Sequence, residues 1–234
     1  MTRAGAGGGG RQLAVVFLDG DYGDPDWHRA LAARAGLVLA ADGGARFLAG
    51  LGVRPDAVIG DFDSLEPALA ARLEVDGVET VRHPTRKDFT DGELAVDEAL
   101  RRGAGEVLLA GATGALDHTL GHLAILRRLR ARGVPARLVA PGLSVAVLTA
   151  PASVALVAPA GTRVSLVPLA GDATVSLAGL DYPLDRGVLP ADACLGLGNH
   201  VAAGAAASIV LHGGTVAVLV EADEDFRTAA SSGS

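Results

Sequence analysis

Four short segments of this chain gather aspartate and glycine where chemistry could be done: Ala41-Asp42-Gly43-Gly44, Gly60-Asp61-Phe62-Asp63-Ser64, Lys87-Asp88-Phe89-Thr90-Asp91 and Gly111-Ala112-Thr113-Gly114-Ala115-Leu116-Asp117-His118. Carboxylates are hard oxygen ligands. They suit Mg²⁺, which keeps several waters and is completed by substrate phosphates rather than by a full protein cage. Asp61 and Asp63 are two apart, so in an extended segment both point to one side and can share a cation. The set is too rich in carboxylate and too poor in Cys and His for a zinc site. Gly43-Gly44 and Gly111 to Gly114 supply the complementary half, because a glycine turn opening a helix can direct backbone N–H groups at phosphate oxygens. Lys87 is the single lysine in an arginine-using chain, and its compact ammonium offers phosphate a point charge that a planar guanidinium does not. An anion site beside a cation site suggests a nucleoside triphosphate. Each motif alone is common, Asp-Gly being an ordinary turn; their joint placement on one rim carries the reading.

That rim needs strands to hold it. Leu37 to Ala41, Ala57 to Ile59 and Val107 to Ala110 read as buried parallel strands, whose carboxyl ends form the ligand-binding edge of an open α/β sheet. From Leu13 to about Thr149 such runs alternate with helical ones. Leu13 to Leu18 precedes a helix that Asp24 caps with Pro25 in its first turn. Gly43 to Leu51, Glu66 to Leu73, Asp91 to Arg102 and Leu116 to Arg132 follow, Val78 to Val81 being a further strand. Thr90 and Glu93 have the spacing of a capping box, and Gly133 stops the last helix. The expectation is a Rossmann-like, mostly parallel sheet with flanking helices over residues 11–150.

After Pro151 the pattern changes. Val154 to Val157, Arg163 to Val167, Thr174 to Leu177, Ala206 to Leu211 and Thr215 to Val220 are short, valine-rich and separated by Gly, Pro and Asp, so a smaller all-β, sandwich-like domain is expected over 151–226. Residues 1–10 and 227–234 read as disordered tails. Leu138 to Thr162 carries no charge over a length able to span a bilayer, but Pro141, Gly142, Pro151 and Pro159 divide it into strand-sized pieces such as Ser144 to Thr149.

Composition sets outer bounds. The 234 residues, 50% hydrophobic, can bury a sizeable core, and the formal net charge of -7 argues against a nucleic-acid partner. Cys194 is alone and reads as packing; without a disulfide or an apolar leader, cytoplasm is the default location. His118 and His122 lie four apart on a helix, as in a zinc protease motif, yet Thr119 stands where that motif places glutamate. Trp27 and Phe47 read as core.

The four acidic motifs, in this order and spacing, resemble the thiamine pyrophosphokinase (thiamine diphosphokinase) family. The likeness continues through Gly179-Leu180-Asp181-Tyr182-Pro183-Leu184 and Asn199, from Leu13 to Val220. The resemblance implies transfer of a pyrophosphoryl group from ATP to the hydroxyl of thiamine, giving thiamine diphosphate and AMP. It implies catalytic, Mg²⁺-binding roles for Asp61, Asp63 and Asp88, with Asp61 or Asp63 near the attacking hydroxyl. It assigns Asp42, Gly43, Gly44, Lys87, Asp91, Thr113, Gly114, Asp117 and His118 to the nucleotide, and Asn199 and Tyr182 to thiamine. A homodimer that shares its active sites belongs to the same expectation.

The chain departs from the family pattern at several places. Only Ala115-Leu116 separate Gly114 from Asp117, where a longer Gly-Arg-containing stretch is common, and Arg86 is a candidate substitute. Phe89 takes a usually polar place, His122 replaces a frequent asparagine, and Gly198 stands where serine often precedes the asparagine. Aromatics make up 3% of the chain, and Tyr182 and Phe226 are those available to the β domain for stacking. Two alternatives stay open: the same fold acting on another heteroaromatic alcohol such as a pterin, and a non-catalytic nucleotide-binding protein.

Overall fold

The computed structural model describes residues 11–62, 65–84, 88–204 and 206–222. The chain divides into two compact units. The first runs to Ile125 and regains Val134–Val139; the second holds Leu126–Gly133 and the chain from Ala140 onward.

The first unit alternates strand and helix: β1 (Leu13–Phe17), α1 (Pro25–Arg34), β2 (Leu37–Ala41), α2 (Gly43–Leu51), β3 (Ala57–Gly60), α3 (Pro67–Val75), β4 (Glu79–Arg82), α4 (Asp91–Arg101), β5 (Glu106–Ala110), α5 (Leu116–Ala131) and β6 (Ala136–Ala140). Its strands lie in the order β6-β5-β1-β2-β3-β4, each pair parallel. The chain therefore steps outward from β1 to β4 and then returns to β5, so strand order reverses between β1 and β5. β2 and β3 are buried along their whole length, the mark of strands covered on both faces. Val15, Phe17, Val38, Ala40, Val58 and Leu108 form one cluster with Leu31, Leu48 and Leu73 of α1, α2 and α3. The alternate residues Val16, Leu39, Ile59 and Leu109 are equally buried, and α4 contacts β1, β2 and β3. β4 has mostly exposed side chains, as an edge strand does.

Local signals fix the helix ends. Asp24 accepts from the Asp26 and Trp27 amides at 2.8 and 3.4 Å, ahead of Pro25. Thr90 and Glu93 close the expected capping box, the Glu93 amide reaching Thr90 Oγ1 at 3.2 Å and the Thr90 amide reaching Glu93 Oε2 at 3.0 Å. Gly133, with φ 71°, ends the turn after α5, where its amide bonds to the Arg130 carbonyl.

The second unit contains β7 (Leu143–Thr149), β8 (Ala152–Leu156), β9 (Arg163–Pro168), β10 (Ala173–Ala178), β11 (Leu184–Leu189), β12 (Asn199–His200), β13 (Ala207–Gly213) and β14 (Thr215–Val220). Two antiparallel layers, β12-β9-β14-β7 and β11-β10-β13-β8, share one core. Alternation governs it: Ala173, Val175 and Leu177 of β10 and Ala207, Ile209 and Leu211 of β13 point inward. The boundary differs from the expected change at Pro151. β7 pairs antiparallel with β14, Thr149 opposite Thr215, and so joins the second unit although its composition resembles the strands before it. Cys194, expected to be packed, is exposed. Among the described residues no helix is long and apolar enough to cross a membrane.

Thr90→Ala removes the side-chain half of the α4 cap and is expected to lower the unfolding free energy by about 1 kcal/mol, with Thr90→Ser retaining most of it. Urea denaturation of the two variants checks this; equal losses would show that the hydroxyl does not cap the helix.

Candidate active site

The carboxyl ends of β1, β2, β3 and β5 carry the residues in question, and backbone close packing sets their positions. Asp42 leaves β2 with φ 41° and ψ -109°, its amide donating to the Ile59 carbonyl at 3.1 Å. That turn aims the chain into α2. A Cβ at Gly44 would overlap the Phe17 carbonyl, and one at Gly43 would overlap the carboxylate of Asp19. Gly44 is thus required for α2 to start this close to β1, while Gly43 leaves space that the Asp19 carboxylate occupies.

At the end of β3, a Cβ on Gly60 would overlap Asp42 Oδ1 and lie 3.5 Å from Asp91 Oδ1. The Asp42 carboxylate, just after β2, and the Asp91 carboxylate, at the start of α4, therefore both lie beside this one glycine. Asp61 follows directly and is half-buried. Phe62 adopts φ 63°, with the Arg82 guanidinium 4.8 Å over its ring. This differs from the expected extended segment: β3 has ended at Gly60, and Phe62 is left-handed rather than extended. Asp63, Arg86, Lys87 and Phe226 lie outside the described residues. Asp88 is exposed, two residues before the Thr90 cap.

The loops after β1 and β5 interlock where the strand order reverses, the position at which open α/β sheets bind ligands. Asp21 bridges Thr113, its amide donating to the Thr113 carbonyl at 2.8 Å, and the Thr113 hydroxyl reaches back to the Asp21 carbonyl at 3.5 Å. Gly20 leaves no room for a Cβ beside the Thr113 and Gly111 carbonyls, and Gly111, with φ 63°, is covered by the Tyr22 ring. Gly114 (φ 128°) has Asp21 Oδ2 at 3.3 Å from the place a Cβ would take. Tyr22 donates to the Leu18 carbonyl and stacks on Phe47 with ring centroids 3.5 Å apart. Burial, and then the charge of Asp19, raise its hydroxyl above the ordinary tyrosine pKa.

Asp19 and Asp21 were not singled out by sequence, although the signal was present: Asp19-Gly20-Asp21 is acid and glycine after an apolar strand, like the four segments that were. Their placement changes the electrostatics of the rim. Both glycine turns offered to phosphate, at Gly43 and at Gly114, are faced by a carboxylate of this one loop. An anion approaching either turn meets negative charge unless a cation accompanies it.

Asp117 accepts from the His118 amide at 2.9 Å, and both are exposed in the first turn of α5. His122 Nδ1 bonds to the Ala112 carbonyl at 2.8 Å, so its ring supports the β5 turn; its centroid is 6.3 Å from that of His118. Among the described residues no three His, Cys, Asp or Glu side chains come together as a metal site. The carboxylates near Gly60 still fit a hard cation that draws its remaining ligands from phosphate and water.

Tyr182 and Asn199 belong to the second unit. Tyr182 is 71% exposed, whereas Asn199 is 8% exposed and its amide is bonded to the Tyr182 backbone.

One buried histidine and one half-buried one give a pH signature. His28 is fully buried among Tyr22, Trp27 and Phe47; its Nδ1 bonds to the Asp24 carbonyl at 2.7 Å, and its Nε2 has no hydrogen-bond partner among the described residues. Burial lowers the pKa of His28, and burial followed by His118 lowers that of His122. Below about pH 6.5 the unfolded chain binds protons that the folded chain resists, so stability must fall with pH in that window, by up to about 1.4 kcal/mol per pH unit for each histidine. Urea unfolding at about pH 7.5 and about pH 5.5 tests this; equal stability at the two would contradict it.

Residues 28–138 match the family model described as "Thiamin pyrophosphokinase, catalytic domain". No curated protein matches the chain. Among solved structures, thiamine pyrophosphokinase from Bacillus subtilis aligns at TM-score 0.78 and 22% identity, covering 90% of this chain and 99% of that one. Thiamin pyrophosphokinase from Candida albicans aligns at 0.79 and 15% over 91% of this chain and 90% of its own, and the yeast thiamin pyrophosphokinase at 0.74 and 14% over 92% and 88%. The fold is theirs, and residues 28–138 are similar to the thiamin pyrophosphokinase catalytic domain.

Proposed function

We propose that this chain is a thiamine diphosphokinase that transfers the β,γ-pyrophosphoryl group of ATP to the hydroxyethyl oxygen of thiamine. The new bond joins that oxygen to the β-phosphorus, the bond from the β-phosphorus to the α,β-bridging oxygen breaks, and AMP departs in line. The hydroxyl proton passes to a carboxylate, Asp61 or Asp63. The observation that supports the reading is that the Asp42 and Asp91 carboxylates both lie beside Gly60, next to Asp61, inside the stretch that matches the family model.

In this reading Asp61, Asp63 and Asp88 hold Mg²⁺, which when bound neutralises phosphate charge. Gly43, Gly44, Lys87, Thr113, Gly114, Asp117 and His118 serve the nucleotide together with Asp42 and Asp91. The glycine turns donate backbone N–H groups, and the carboxylates of Asp19 and Asp21 favour a metal-bound polyphosphate over a bare one. Tyr182 and Asn199 serve the vitamin. A cytoplasmic homodimer that completes each site from two copies belongs to the same proposal; Leu116 and Leu120, 72% and 57% exposed one turn apart on α5, give a second copy apolar surface to cover.

The test is AMP formation from ATP and Mg²⁺, with and without thiamine, for the natural chain and for Asp61→Ala. Thiamine-dependent AMP is expected, with a loss on the order of 10²-fold or more in the variant. A chelator should abolish turnover and leave the melting temperature within a few degrees, because the core does not depend on metal. AMP formation with another heteroaromatic alcohol and none with thiamine would change the acceptor. ATP binding without AMP from any acceptor would leave a nucleotide-binding protein.

A further inference from the structure

Asn199 is a buried amide whose bonding capacity is directed almost wholly at one residue. Its Oδ1 accepts from the Tyr182 amide at 3.0 Å and from the His200 amide at 2.9 Å, and its Nδ2 donates to the Tyr182 carbonyl at 2.9 Å. A primary amide offers two lone pairs and two N–H donors, so three of the four are engaged within the chain. Both backbone polar groups of Tyr182 are thereby held by a single side chain.

The rest of the segment is fastened to the same strand. The Asp181 amide bonds to the His200 carbonyl at 2.9 Å, Leu180 bridges Val201, and the Ala202 amide bonds to the Gly179 carbonyl at 3.0 Å. Gly179, with φ 65°, admits no Cβ against the Ala206 carbonyl. β12 is in turn paired with β9, Asn199 opposite Val164. Both backbone polar groups of Tyr182 are therefore held while its ring is 71% exposed. Fixing an exposed aromatic contributes little to the core. It does remove the ordering cost of presenting a flat apolar face to a ligand ring.

We propose that Asn199 is a positioning residue, which holds the Tyr182 ring ready to stack on the acceptor and does not itself contact the acceptor. This rests on the assignment of the acceptor as thiamine. The alternative, direct contact from Asn199, would have to use the one remaining N–H of a side chain that is already nine-tenths buried.

A double-mutant cycle separates the two. Thiamine KM, ATP KM and kcat are measured for the natural chain, Asn199→Ala, Tyr182→Ala and the double variant, with melting temperatures alongside. Asn199→Ala and Tyr182→Ala are each expected to raise thiamine KM by on the order of tenfold with ATP KM unchanged, and the double variant is expected to match Tyr182→Ala alone. Asn199→Asp keeps the two accepting positions and should fall between Asn199→Ala and the natural chain. A further rise in thiamine KM when Asn199→Ala is added to Tyr182→Ala would overturn the proposal in favour of direct contact, and an equal rise in thiamine and ATP KM would show a merely structural role. Hydrogen exchange gives a readout independent of turnover: the Tyr182 amide should exchange faster in Asn199→Ala, and unchanged protection would refute the clasp. If the natural chain forms no AMP with thiamine, the functional assignment and the acceptor role both fall, whereas the exchange result still decides whether Asn199 holds the loop.

Discussion

Close approach of backbone to backbone at the carboxyl ends of the parallel strands is the constraint on which the rest of the first unit depends. Gly44 lies against the Phe17 carbonyl, Gly20 against the carbonyls of Gly111 and Thr113, and Gly60 beneath the Asp42 and Asp91 carboxylates. None of these positions has room for a methyl group. The consequence is a rim in which side chains from separate strand ends come within a few ångströms of one another, on turns too tightly packed to relax apart. Carboxylates concentrated on such a rim repel one another, so a cation and a polyphosphate are its natural complements.

Much of this was legible because local chemistry decides it. The Thr90–Glu93 box, Asp24 ahead of Pro25, Gly133 after α5 and the buried runs of β2, β3 and β5 each follow from a few adjacent residues, and the structure agrees. The edge strand β4 was displaced by one residue, since its exposed side chains give no apolar run to read. β11 and β12 give no apolar run either: one is largely exposed, and the other is two residues long.

What escaped the sequence depends on long-range contact. Asp21 meets Thr113 across 92 residues, and Asn199 meets Tyr182 across 17, distances over which spacing carries no signal. The left-handed Phe62 is a further case, because the turn after β3, and not a strand period, orients Asp61. Asn199 is instructive in another way. The family resemblance implies a place beside the vitamin, whereas its hydrogen bonds run to the backbone of an exposed tyrosine.

The central claim is that the carboxyl-end rim of the first unit holds the nucleotide. A crystal structure of the chain with Mg²⁺ and a non-transferable analogue of ATP tests it most directly. Phosphate density between the Gly43-Gly44 turn, the Gly60-Asp61 turn and the Gly111–Gly114 turn, with a metal ion among the carboxylates, is the predicted result. A well-ordered nucleotide elsewhere on the molecule, with the rim carboxylates in direct contact with one another and no metal, would contradict it.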